Sequence, residues 1–138
     1  MQWDGNSTPG FIHAAGLGGI DFTQDGGTAL RVVVESFDFA LGNPLPVKFT
    51  VYDAADATGE RASSRIIALN SSLSHATIEI PFADFTQIGL FGPADFHNVG
   101  AVSMLVGGNT SDWDMVLDDL DTNGNCDMVP DENGRVVD

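Results

Sequence analysis

The sequence predicts an all-β fold, a two-sheet antiparallel β-sandwich of jelly-roll type, on three observations. Apolar and polar residues alternate at period two, apolar stripes at helical period are nearly absent, and Gly, Pro, Asn and Asp punctuate the alternating runs. The 138 residues are 43% hydrophobic and include nine Phe, enough for one packed core and too few for two.

Eight strands are predicted, over 10–13, 19–23, 29–37, 47–53, 61–69, 75–81, 98–107 and 112–119. The first two flank Gly16-Leu17-Gly18-Gly19, whose glycines permit a turn; no helical pattern follows, so this is not a phosphate cradle. The third carries the β-branched run Val32-Val33-Val34. In the fourth, Val47, Phe49 and Val51 share one side, with Lys48, Thr50 and Tyr52 on the other. The fifth, 61–69, is a β-rich run closed by turn residues. In the sixth, Ala76, Ile78 and Ile80 oppose Thr77 and Glu79. The seventh is apolar on both faces, as a central strand covered on both sides would be; an exposed sheet that meets a partner is the alternative. In the eighth, Trp113, Met115 and Leu117 alternate with carboxylates and are expected to face inward. Asp25-Gly26-Gly27, Gly42-Asn43-Pro44, 53–59 and Gly107-Gly108-Asn109 read as turns, and no repeat is visible.

The formal charge is −15, from 20 acidic and 5 basic residues. Nine of the acids fall in 112–138 beside only Arg135. Such a field repels nucleic-acid backbones and anionic membranes and attracts cations. Surface adaptation to high salt explains the same composition and is compatible with metal binding. The single Cys126 allows no internal disulfide, and with no His or Lys beside it reads as an incidental free thiol. No apolar run reaches the roughly 20 residues that span a bilayer, so no membrane insertion is expected. Met1-Gln2-Trp3-Asp4 does not begin a secretion signal, so an exported protein would carry this chain as a mature or excised piece.

The segment Asp118-Asp119-Leu120-Asp121-Thr122-Asn123-Gly124-Asn125-Cys126-Asp127-Met128-Val129-Pro130-Asp131 sets oxygen side chains at alternate positions around a glycine. Calcium takes six to eight oxygen ligands, and Asp119, Asp121, Asn123, Asp127 and Asp131 have the spacing to wrap one ion, with Gly124 permitting the bend. The pattern resembles the calcium loops of thrombospondin type 3 repeats and dockerins. It is not an EF-hand, because Pro130 stands where a bidentate Glu would close the loop. A solvated acidic tail after the last strand is the alternative. The chain thus divides into a sandwich, 1–120, and an acidic tail or linker, 121–138, with Ca2+ as the expected cofactor.

Between Gly16 and Asp119, about three quarters of the chain, four motifs stand out. They are Gly16-Leu17-Gly18-Gly19-Ile20-Asp21-Phe22-Thr23, Ile80-Pro81-Phe82-Ala83-Asp84-Phe85, Phe96-His97-Asn98-Val99-Gly100-Ala101-Val102 and Val116-Leu117-Asp118-Asp119-Leu120. On these the chain resembles bacterial surface and secreted β-sandwich modules related to carbohydrate-binding modules. The resemblance implies a calcium ion where the N-terminal and last strands meet, at Asp21, Asp25 and Asp118. It also implies a sugar site built on exposed Trp or Tyr, of which this chain has Trp3, Trp113 and Tyr52.

A sugar surface pairs an aromatic face with polar side chains that bond hydroxyls. Tyr52 with Lys48, Arg31, Glu35 and Glu79 is the candidate set, since alternation points all five away from the core; an ordinary solvated sheet with cross-strand charge pairs is the alternative. His13, His75 and His97 match no zinc motif, no Gly-x-Ser-x-Gly elbow occurs, and adjacent Asp118 and Asp119 would point to opposite faces of a strand. Sequons begin at Asn6, Asn70 and Asn109 and read as chance in a bacterial protein. The expectation is a non-catalytic, extracellular or cell-surface, calcium-stabilised module that binds glycan or mediates adhesion, with no nucleic-acid partner. The alternative is a structural, self-associating subunit or spacer with no carbohydrate ligand.

Overall fold

In the computed structural model, which describes residues 2–5, 12–39, 45–69, 73–107, 113–124, 129–130 and 136–137, alternation closes two antiparallel sheets over one core. One sheet has five strands in the order β1 (Gln2–Trp3), β7 (Val99–Val106), β3 (Leu45–Asp53), β4 (Ala62–Leu69), β6 (Thr86–Gln87). The other has three, in the order β5 (Leu73–Pro81), β2 (Ala29–Phe39), β8 (Trp113–Thr122). A separate two-stranded pair joins β9 (Val129–Pro130) and β10 (Val136–Val137). Apart from β6, an addition beside β4, this is the strand order of a jelly roll. The strand that would pair with the free side of β8 is not among the described residues.

Each sheet contributes the apolar half of its alternation to the core. Leu30, Val32 and Val34 of β2, Ile80 of β5 and Leu120 of β8 meet Leu45, Val47, Phe49 and Val51 of β3 and Val99, Val102 and Met104 of β7. Phe82 stacks on Phe96 with centroids 4.4 Å apart, Phe85 meets Phe96 edge-on at 5.4 Å, and the buried Phe22 lies 6.4 Å from Phe82. That aromatic group closes one end of the sandwich, and it explains why the Phe-bearing motifs are spread through the loops. Trp3, 1% exposed, belongs to the core through β1, opposite Val102. Its indole N–H is buried with no partner among the described residues, and the apolar burial offsets that cost.

Strand β7 lies between β1 and β3, but it is not covered on both sides as expected, since Leu105 on its outer side is 65% exposed. Six of the eight predicted strands match β2, β3, β4, β5, β7 and β8. Residues 19–23 do not form a strand. Ile20 makes one isolated bridge to Val99, Gly18 and Gly19 hold positive φ of 76° and 94°, and Asp21 folds back onto Thr23 to start a turn. In the predicted 10–13 strand, residues 10 and 11 lie outside the described residues and Ile12 and His13 are not in a strand. The β2–β8 register shifts between Val33 and Val34 and again before Ser36. Asp118 consequently falls between Asp119, opposite Val33, and Leu117, opposite Val34, and simple alternation does not apply across it.

Candidate functional site

With Val47, Phe49 and Val51 in the core, the residues between them occupy the outer side of the five-stranded sheet. Register builds rows there. Tyr52 lies between Ala101 and Ala62, and Lys48 between Leu105 and Ile66. Between those rows Thr50 lies beside Ser103 and Ser64, and the row extends to Gln2 at one edge and Thr86 at the other. None of these residues is acidic, although 20 of the chain's 138 residues are. Thr50 and Ser64, 4% and 7% exposed, lie sheltered between the larger side chains of the neighbouring rows. Leu105 and Ile66 on either side of Lys48 are well exposed. The Tyr52 ring is backed by Gly59, where a Cβ would lie 3.7 Å from the ring at a φ of 80°. The face offers hydroxyl donors and acceptors, one ammonium and one half-exposed aromatic ring, the groups that bind a neutral polyhydroxylated surface.

The five predicted sugar-contact residues do not form one surface. Tyr52 and Lys48 share this face, whereas Arg31, Glu35 and Glu79 belong to the three-stranded sheet. There Glu79, Arg31 and Asp121 stand in one cross-strand row. Glu35, at the register shift, lies 3.1 Å from exposed His75, whose φ is 49°. Alternation correctly assigns Arg31 and Glu79 to an outer side, but which sheet owns a strand is decided by pairing far along the chain.

Of the predicted calcium ligands, Asp121, Asn123, Asp21 and Asp25 have described side chains. Asp121 is fully buried, and its carboxylate is bound by Arg31 in a two-pronged pair, with Nε donating to Oδ1 at 2.6 Å and Nη2 to Oδ2. Asn123 Oδ1 accepts from the Thr28 and Ala29 N–H groups at 2.8 and 3.1 Å, and its amide donates to Thr28 Oγ1 at 3.0 Å. Asn123 N–H donates to Ala29 O, which completes a clasp between the exit of β8 and the entry of β2. A Cβ on Gly124 would fall within 2.7 Å of Gly27 N, so the glycine serves close approach here. In this structure the side chains of Asp121 and Asn123 are thus engaged by Arg31, Thr28 and Ala29. Asp21 is exposed and takes the Thr23 N–H and hydroxyl at 2.9 and 2.6 Å; the hydroxyl, then the N–H, holds its carboxyl below the usual value. Exposed Asp25 sits at a φ of 56° in the following turn. Asp118 and Asp119 are on β8, and Asp127 and Asp131 lie outside the described residues. Among the described residues no three His, Cys, Asp or Glu groups gather to hold a metal.

No protein-family model, curated protein or solved structure matches the chain. Two features escape the sequence reading. The row Gln2, Ser103, Thr50, Ser64, Thr86 comes from five separate strands and has no linear signal. The exposed Leu90 and Phe91 do have one, adjacent apolar residues between Gly89 and Gly92 in a turn-rich stretch.

Proposed function

We propose that the chain is a non-catalytic β-sandwich module of an extracellular or cell-surface protein, which binds glycan or mediates adhesion through the outer side of its five-stranded sheet. The observation that supports this most is that none of the residues in the strand rows of that face is acidic, in a chain of net charge −15, the nearby Asp4 being buried with its carboxylate bound by Gln2 Nε2. Surfaces that meet a partner are depleted of charge at their centre. Tyr52 would stack on the C–H side of a pyranose, and Lys48, Thr50 and Ser64 would bond its hydroxyls. A glycan array, followed by titration calorimetry on the best ligand, tests it. Tyr52→Ala is expected to weaken binding about tenfold or more. Silence across glycans, or binding untouched by Tyr52→Ala and Thr50→Val, rejects the reading.

The exposed Ile66 and Leu105 on the same face favour a second reading, a structural subunit that buries this sheet against another copy. Concentration-dependent mass lost in Leu105→Asp, with no glycan bound, would select it. Calcium enters the proposal through the acidic segment beyond Gly124 rather than through Asp121 and Asn123. Thermal unfolding with calcium and with chelator, at constant ionic strength, is expected to show a shift that Asp131→Ala removes and Asn123→Ala leaves in place.

A further inference from the structure

Asn123 stands directly before Gly124, the pairing most open to one spontaneous reaction of the main chain. Glycine has no side chain to shield its nitrogen. Once that nitrogen gives up its proton it attacks the Asn amide carbon. An N–C bond forms, the Cγ–Nδ2 bond breaks, and ammonia leaves with the proton. Water then opens the cyclic imide at either carbonyl, giving aspartate or isoaspartate. Asn123 is exposed, so water reaches it, and exposure alone predicts fast conversion.

The clasp predicts the opposite. Thr28 and Ala29 N–H groups hold the Asn123 carbonyl at 2.8 and 3.1 Å, and its amide donates to Thr28 Oγ1 at 3.0 Å. The attacking Gly124 nitrogen is buried and its proton is donated to Thr122 Oγ1 at 3.3 Å, while Asn123 N–H is held by Ala29 O. Attack makes the planar Cγ tetrahedral and closes a ring, movements that the fixed amide and the fixed main chain both resist. The two products differ in their effect. Aspartate keeps oxygens for the Thr28 and Ala29 N–H groups and can accept the Thr28 hydroxyl proton. Isoaspartate routes the main chain through the side chain and lengthens it ahead of Gly124, where a Cβ would already come within 2.4 Å of Gln24 O and 2.7 Å of Gly27 N. We propose that Asn123 is a gated modification site. It is protected while the clasp between β8 and the entry of β2 is closed and converts when the exit of β8 opens locally, after which isoaspartate keeps the clasp from closing again.

Long incubation of the full chain at mildly alkaline pH, native and unfolded in urea, tests the gate. Mass spectrometry follows residue 123 on fragments that separate it from the second Asn-Gly pair, at Asn133. Conversion at Asn123 is expected to be about tenfold or more slower in the native chain. Thr28→Ala, which removes the acceptor of the Asn123 amide, should raise the native rate severalfold and leave the rate in urea unchanged. A cooperative thermal transition would show that variant folded. Chains carrying isoaspartate at 123 are expected to melt below the unaltered chain, and Asn123→Asp close to it. Equal rates in the native and unfolded chain, or a native rate that a folded Thr28→Ala leaves unchanged, would overturn the gate. An isoaspartate chain with an unchanged midpoint would overturn the block on closing.

Discussion

The outer sides of the two sheets were built from one acidic sequence, yet they differ in kind. The three-stranded sheet carries the row Glu79, Arg31, Asp121, in which Arg31 pairs with Asp121, and sets Glu35 3.1 Å from His75. The five-stranded sheet carries Tyr52, Lys48, hydroxyls and apolar side chains in its rows, and the carboxylate at its end, Asp4, is buried and bound by Gln2. Stability explains the first arrangement, because a buried carboxylate must be paired. It does not by itself dictate the second, where Thr50 and Ser64 set hydroxyls between larger side chains on an outer side. The contrast teaches that one outer side is organised by ion pairing and the other by hydroxyls and apolar side chains, which is the side the proposed function uses.

The largest effect expected from breaking this contrast is on the charged face. Arg31→Ala leaves the Asp121 carboxylate buried and unpaired, and should cost about 3 kcal/mol in chemical unfolding. An unchanged midpoint would mean that the pair contributes only at the surface. Asn123→Ala removes the clasp and should cost about 1–2 kcal/mol, with or without calcium. Thr50→Val sharpens the other side, since it keeps shape and β-branching and deletes only the hydroxyl. Stability should stay within about 0.5 kcal/mol or rise, while glycan binding falls. Loss of stability with binding intact would assign Thr50 to the fold.

The smallest effect concerns pH. Hydroxyl donation by Thr23 and Thr58 holds the Asp21 and Asp56 carboxyls below the ordinary 3.8. The folded values lie under the unfolded ones, so the stabilisation is complete above the ordinary value and is lost as pH falls through the folded values. Thr58→Val should reduce the difference between midpoints at pH 6 and pH 3 (both about) by a small margin. Equal pH dependence in the two chains would show that the Asp56 turn is already open.

Strands with clean alternation were legible. Val47 to Val51 and Ala76 to Ile80 face as their pattern requires, because a half-buried strand has only one way to hide its apolar side. The stretch 19–23 misled, since local turn chemistry at Gly18, Gly19 and Asp21 outweighs the apolar content of Ile20 and Phe22. The acidic spacing after β8 gives no hint of the partners that Asn123 and Asp121 find, since Thr28, Ala29 and Arg31 supply donors from more than 90 positions earlier for Asn123 and from 90 earlier for Asp121.

The sequence by itself determined the all-β class, most strands, the inward and outward sides of several of them and the acidity of the C-terminal quarter. These follow from side-chain order at period two and from composition, which are local properties. Only the tertiary structure decided that Tyr52 and Lys48 part company with Arg31 and Glu79, that Thr50 and Ser64 join a row drawn from five strands, and that Asp121 meets Arg31. Strand partners are chosen by long-range hydrogen bonding and by the closing of a shared core, and neither leaves a trace in neighbouring residues.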